Sequence, residues 1–200
     1  MVTHITNVVI NGDVGWTPPI VRRKLEMLKL VERLVKMNNV RINNIVFRWD
    51  WTHKGKTWSW YIRQILKETN QEEVIDEVLS GRADFSQLLD KAREELMTIE
   101  IQRWNTELYN QPKLSFYRLF KSEYLTEPYI LKCQNKSTRT FIAQIRAGVL
   151  PLQVEVGRFI QQALQDRTCQ YCKSVEDELH FIFDCPLYLH LRIEFYNQVS

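Results

Sequence analysis

Cys169, Cys172, His180 and Cys185 follow the spacing C-x2-C-x7-H-x4-C, a donor set that suits a tetrahedral zinc ion. The two-residue gap lets a tight turn aim two thiolates at one point, and the second pair closes the site from another segment. Zn–S bonds of about 2.3 Å and a Zn–N bond of about 2.1 Å cannot all be met from one regular helix. Two short elements must therefore fold together around the metal. Four protein donors leave no open coordination position, so one Zn2+ held here is structural rather than a Lewis acid. Other readings of these cysteines remain: a disulfide pair, a redox C-x-x-C, or unconnected small core residues. Against the disulfide, residues Met1 to Asn7 lack the charged and long apolar regions of a secretory signal. No strand–helix context of thioredoxin type surrounds Cys169 and Cys172. Cys133 has no partner at ligand spacing and fits the core description.

The elements that position these donors read as mostly helical. Thr17-Pro18-Pro19 suits a helix start, with Thr17 as cap and proline in the first turn. Val21, Leu25, Leu28, Val31/Leu34 and Val35 then fall on one face, while Arg22, Arg23, Lys29, Arg33 and Lys36 crowd the rest. The apolar stretch from Val40 to Phe47 is too short to assign. A second helix covers Thr57 to Lys67, with Trp58, Tyr61, Ile62, Ile65 and Leu66 on its apolar side. A third runs through Val74 to Leu79 and stops at Gly81. Asp84 caps the longest helix, Phe85 to about Asn110, whose apolar face carries Leu88, Ala92, Leu96, Ile99, Trp104 and Leu108; Pro112 ends it.

Residues 113–120 fit either helix or strand. Ser137 or Thr138 starts a helix carrying Phe141, Ile142 and Ile145 that closes at Gly148. Leu150 to Val156 forms an extended connector, and Pro186 opens a last helix with Leu187, Leu191 and Phe195 on one face. His180 and Cys185 are five apart and do not share the face that i and i+4 share. Their element must therefore end near Pro186. Phe181 and Phe183 flank the ligands and pack around the metal, and Arg167 or Lys173 offsets the net negative charge of three thiolates on Zn2+. The expected fold class is mainly α, with helical residues 1–135 and a small zinc-stabilised module at 136–200.

At 200 residues, 44% apolar and 12% aromatic, the chain has material for a core. No apolar run approaches the roughly 20 residues that cross a membrane. The net charge of +3 is unevenly spread. Residues 1–63 carry 11 Lys/Arg against 4 Asp/Glu, residues 64–135 carry 9 against 13, and residues 136–200 carry 7 of each. The basic first third is where a polyanion contact is expected; a solvated helix face explains the same excess.

The segments Arg139-Thr-Phe-Ile-Ala-Gln-Ile-Arg146-Ala-Gly148, Glu155-Val-Gly157-Arg158, Arg167-Thr-Cys169 and Glu176-Asp-Glu-Leu-His180-Phe-Ile-Phe-Asp-Cys185-Pro186 resemble the zinc-binding region that follows the polymerase domain in non-LTR retrotransposon reverse transcriptases. Upstream, Gly12-Asp-Val-Gly-Trp16-Thr-Pro-Pro, Arg22-Arg-Lys24 and Phe47-Arg-Trp-Asp-Trp51 resemble the connector between polymerase and zinc region. The resemblance covers most of the chain, and its zinc segment is the specific part. It implies a fragment of a mobile-element polyprotein whose parent copies RNA into DNA, with a separate reverse transcriptase as one candidate partner. No Tyr/Phe-x-Asp-Asp pair and no endonuclease constellation occurs, and Asp50, Asp76, Asp84 and Asp90 are isolated, so no catalysis is expected. Seven residues separate Cys172 from His180, longer than in the retroviral-type knuckle, whose compact RNA-reading geometry therefore does not carry over.

Two functions follow. In the first, the chain is a zinc-stabilised accessory module for RNA or single-stranded DNA. Arg22, Arg23, Lys24, Arg139, Arg146, Arg158 and Arg167 would touch phosphates, and Tyr171 would stack on an unpaired base. Arg139 and Arg146 share a helix face; the counter-reading pairs the C-terminal arginines with Glu155, Asp166 and Glu176 to Glu178. In the second, the chain is a scaffold or protein-interaction remnant. Trp49, Trp51, Trp58 and Trp60 among Arg48, Lys54 and Lys56 serve either function. Reduced zinc thiolates place the protein inside the cell.

Overall fold

Val21, Leu25, Leu28, Val31 and Val35 recur at three- and four-residue steps. In the computed structural model, which describes residues 5–53 and 55–199, all five are buried along helix α2 (Pro19–Lys36). Pro19 sits in the first turn, where its missing N–H costs nothing. Thr17 does not cap: Pro18 holds that position, and no side chain bonds the helix start.

Chain contacts divide the protein into two compact units, Thr17–Trp104 and Met1–Trp16 joined with Asn105–Ser200. The boundary drawn from sequence at 135/136 falls inside the second of these.

In the Thr17–Trp104 unit, α3 (Ile42–Thr52) is helical where local pattern left the chain unassigned. Tertiary bonds explain it. The fully buried Asn44 donates from Nδ2 to Leu34 O (2.8 Å) and Met37 O (3.1 Å), satisfying carbonyls at the end of α2. Phe47 and Trp51 enter the same core. Asp50 Oδ2 accepts from the Ser59 N–H (2.8 Å) and hydroxyl (2.5 Å), holding the start of α4 (Trp58–Glu68). Burial pushes the Asp50 carboxyl up, but the Ser59 bonds outweigh it and leave its pKa below the ordinary value. Ile62, Ile65 and Leu66 are buried as their spacing predicts, whereas Tyr61 is 51% exposed. Helix α5 (Ile75–Ser80) ends at Gly81 in the left-handed region. Asp84 Oδ1 accepts from Ser86 N (3.0 Å) and Gln87 N (3.2 Å), capping α6 (Phe85–Tyr109), whose Leu88, Ala92 and Leu96 complete the core.

The other unit contains α1 (Asn7–Val14), α7 (Pro128–Lys132), α8 (Lys136–Arg146), α9 (Gln153–Phe159) and α10 (Leu189–Val199). Residues 112–114 and 117–119 are 3-10 turns. Among the described residues no strand forms; Thr168 and Val175 make an isolated bridge. The fold is mainly α, as the periodicity predicts. Three local expectations change. Asn135, not Ser137 or Thr138, caps α8 by accepting from Thr138 N at 3.1 Å. The expected connector at 150–156 contains the start of α9, because Glu176 caps it from a distance: its carboxylate accepts from Gln153 N (3.0 Å) and its carbonyl from Val154 N (3.1 Å). Pro186 opens a 3-10 turn ahead of α10, and Leu187, Leu191 and Phe195 are exposed rather than packed.

A buried carboxylate organises this unit. Asp13, 2% exposed, accepts from Tyr117 OH (2.8 Å), Tyr129 OH (2.8 Å) and Arg146 Nε (3.0 Å) and Nη2 (2.8 Å). Arg146 also pairs with Glu127 (3.1 Å), which pairs with the buried Lys121 (2.6 Å). Two anions and two cations thus balance inside the fold. Burial and the neighbouring anions hold the hydroxyls of Tyr117 and Tyr129 protonated far beyond the usual range. Gly15 follows α1 at φ 61°, with the chain passing so close that an added Cβ would lie 2.4 Å from Thr126 N. Only glycine fits there.

Candidate metal centre

The Cys169–Cys172 turn is built by backbone. Cys169 N donates to Ser174 O (2.7 Å) and Lys173 N to Cys169 O (3.0 Å), with Lys173 at φ 65° closing the loop. This folding points N–H groups at the sulfurs. Those of Cys172 and Tyr171 lower the Cys169 thiol pKa, and the Ser174 N–H and hydroxyl lower that of Cys172. Burial pushes the Cys185 thiol up, with the Leu187 N–H opposing. Cys169 and Cys172 are thereby biased toward the thiolate, whereas Cys185 is not.

The second pair solves the five-residue spacing by an uncommon device. Residues His180–Asp184 form a single π-helical turn, in which Cys185 N donates to His180 O at 2.8 Å. A π turn is wider than an α turn, so residues five apart come to lie on the same side. The element does end at Pro186, but it brings the two donors together before doing so. Asp177 Oδ1 accepts from His180 N at 2.8 Å. Arg192 donates to Cys185 O at 2.6 Å, fixing the end of the turn.

All four donor atoms lie within 4.8 Å of one another. Cys169 Sγ is 3.9 Å from Cys185 Sγ, and Cys172 Sγ is 3.3 Å from His180 Nε2. A tetrahedron with Zn–S of about 2.3 Å has an S–S edge of about 3.8 Å. The Cys169–Cys185 separation is close to that edge, so the four donors form a cluster that could hold one metal ion, and Cys169, His180 and Cys185 are buried. No disulfide joins them; all four cysteines of the chain are free thiols. Phe181 packs edge-on against Tyr188 (5.0 Å), whereas Phe183 is 55% exposed and packs less than expected.

The cations expected to offset the site are both held by backbone carbonyls. Arg167 donates to Gln162 O (2.6 and 3.0 Å) and Val154 O (2.9 Å), and its stem lies against Gly157, where a Cβ would meet it at 2.5 Å. Lys173 donates to Gln170 O.

The other basic candidates separate into two groups. Arg139 donates to Cys133 O (3.2 Å), Arg158 pairs with the buried Glu155, and Arg146 belongs to the Asp13 cluster. Internal bonds thus engage all four arginines read as phosphate contacts near the zinc end. The acidic partner anticipated for Arg158 is present; that of Arg146 is not Glu176 to Glu178 but Asp13 and Glu127. Lys24 pairs with Glu68 at 2.5 Å. Arg22, Arg23 and Tyr171 are exposed. Of the tryptophans, Trp51 is buried beneath the Arg63 guanidinium (4.8 Å), Trp58 and Trp60 are half-buried, and Trp49 is 60% exposed. Lys54 lies outside the described residues. No described helix is long and apolar enough to cross a membrane.

Sequence reasoning missed Asp13 and Asn44. Neither stands out by local pattern: Asp13 lies in Asn11-Gly12-Asp13-Val14-Gly15, and Asn44 follows the equally polar Asn43. Compared with protein-family models, curated proteins and solved structures, the chain matches none.

Proposed function

We propose that this protein is a zinc-stabilised, non-catalytic accessory module that attaches to RNA or single-stranded DNA, working beside a reverse transcriptase of the non-LTR retrotransposon kind. The observation that carries the reading is the convergence of the Cys169, Cys172, His180 and Cys185 donor atoms within 4.8 Å of one another. Zn2+ bound there would cross-link the 169–172 turn to the 180–185 turn and hold the C-terminal segment folded. Protein purified without added zinc should contain about one equivalent per chain. Chelation should unfold the C-terminal segment, and cobalt(II) should give the spectrum of a tetrahedral thiolate site. A folded, metal-free C-terminal segment would remove the zinc reading.

The nucleic-acid part rests on Arg22 and Arg23, which α2 presents to solvent while Lys24, Lys29 and Lys36 are each matched by a carboxylate. Binding should show little sequence preference. It should weaken with salt by a log–log slope of about −0.7 per phosphate neutralised, so Arg22→Ala with Arg23→Ala should flatten the slope by about 1.4. A second reading, a zinc-stabilised scaffold, draws on the internal engagement of Arg139, Arg146, Arg158 and Arg167. Undetectable or salt-indifferent oligonucleotide binding leaves that reading in place.

A further inference from the structure

Helix α3 is apolar on two sides. Phe47 and Trp51 face the core, but Ile42, Ile45, Val46 and Trp49 form a second stripe at the three- and four-residue steps of a helix face, and they are 73%, 51%, 54% and 60% exposed. A helix with a second apolar stripe calls for a second covering surface. Beside it, Leu30 and Leu34 of α2 form the other wall of an open groove of about 490 Å³, with Phe47 and Trp58 also lining it.

The chemistry of the groove selects its occupant. Trp49 offers a base one well-exposed stacking plane, but Ile42, Ile45, Val46 and Leu30 offer neither a plane nor a hydrogen bond, so a nucleic-acid strand would leave most of the stripe uncovered. Another helix gains a full apolar stripe. Charges narrow the choice further. Glu26 and Glu32 are matched by Lys29 and Lys36, and Asp50 is bonded to Ser59. Arg33, next to the α2 wall, and Arg41, on one flank of the α3 stripe, are exposed and form no ion pair among the described residues; Arg48, on the same flank as Arg41, is exposed too and its charge meets no carboxylate, although its Nε donates to Asn44 Oδ1 (2.7 Å). In a two-fold antiparallel pair each flank of a helix meets itself. A second copy would therefore set Arg41 and Arg48 against the same arginines, an unfavourable arrangement.

We propose that the α2–α3 groove binds an amphipathic α-helix of another protein, its apolar stripe seated on Ile42, Val46 and Trp49 and acidic side chains on its flanks meeting Arg33, Arg41 and Arg48. The inference is independent of zinc and of nucleic-acid binding, and it adds a partner of defined chemistry.

The test uses fluorescence anisotropy on the full, zinc-loaded chain with a panel of labelled helical peptides of about 18 residues, five turns. Each carries leucine and phenylalanine at i, i+3, i+4 and i+7 positions. One set has glutamate flanks, one has the same stripe with lysine flanks, and one has the glutamate composition scrambled. The glutamate set should bind, with the lysine and scrambled sets weaker by at least about tenfold. Val46→Asp and Trp49→Ala, both exposed and so compatible with the fold, should each weaken the glutamate set by about tenfold or more, while Leu191→Asp on α10 should not. Circular dichroism confirms that each variant is folded. Absence of binding by every glutamate peptide, equal binding by lysine-flanked peptides, or indifference to Val46→Asp overturns the proposal. So does self-association that Val46→Asp abolishes, which would assign the groove to a second copy. Oligonucleotide binding lost with Val46→Asp but kept with Arg22→Ala would assign it to nucleic acid.

Discussion

Asp13→Ala removes one carboxylate from a closed cluster of four charges. In the native protein Asp13 and Glu127 balance Arg146 and Lys121, with side-chain exposures of only 3% for Asp13, 13% for Arg146 and 3% for Lys121. The substitution leaves a net positive charge inside the fold and frees two tyrosine hydroxyls and two guanidinium donors. Bonds to charged groups contribute about 1.5–3 kcal/mol each, so four would sum to at least about 6 kcal/mol if nothing relaxed. Arg146 keeps Glu127, however, and lies over the rings of Phe120 (4.4 Å), Tyr129 (5.3 Å) and Tyr117 (5.5 Å), which hold it in place. The expected loss is therefore about 3–5 kcal/mol, the range for stranding one member of a buried pair. With a urea slope of about 2 kcal/mol/M, the midpoint of the unit containing α1 should fall by roughly 2 M.

Native-state hydrogen exchange at the α1 amides reads the same loss locally, without assuming that the two units unfold together. Asp13→Leu with Arg146→Met removes both charges and leaves the Lys121–Glu127 pair neutral, so this double variant should be more stable than Asp13→Ala alone. A cost below about 1 kcal/mol for Asp13→Ala, or strictly additive costs in the double variant, would refute the reasoning that the cluster acts as a unit.

The raised Tyr117 and Tyr129 values set an alkaline limit. The unfolded chain loses these protons near pH 10 while the folded chain retains them, so their stabilisation is complete below that pH and declines above it. Stability should fall by up to about 1.4 kcal/mol per pH unit for each tyrosine, and Tyr129→Phe should reduce the slope; a pH-independent melting curve between pH 9 and 11 would contradict this. Asn44→Leu fills a similar volume but removes the side-chain donor to Met37 O and the acceptor of Arg48 Nε, while Leu34 O keeps the Met37 N–H at 3.3 Å. It should cost about 1–3 kcal/mol per unsatisfied group in thermal or urea melts, whereas the exposed Asn43→Leu should be near neutral.

Sequence alone determined what depends on spacing along a single element. The three- and four-residue steps of Val21 to Val35 and of Leu88 to Leu96 found α2 and α6 with their buried faces, because helical geometry converts those steps into one side of a cylinder. Asp84 and Gly81 marked helix ends because their partners are one turn away. The cluster of four candidate metal donors was legible for the same reason: two short-range pairs carry the set.

What needed the tertiary structure was every feature whose partner is distant in the chain. Helix α3 forms because Asn44 and Asp50 bond outside it, and the start of α9 is held by Glu176, more than twenty residues on. Arg146 and Arg158 looked alike as solvent-facing cations, yet Arg158 pairs one helical turn away while Arg146 meets Asp13 across 133 positions. No local pattern encodes that meeting. It exists because a buried charge is stable only beside its opposite, and only the folded chain decides which opposite is within reach.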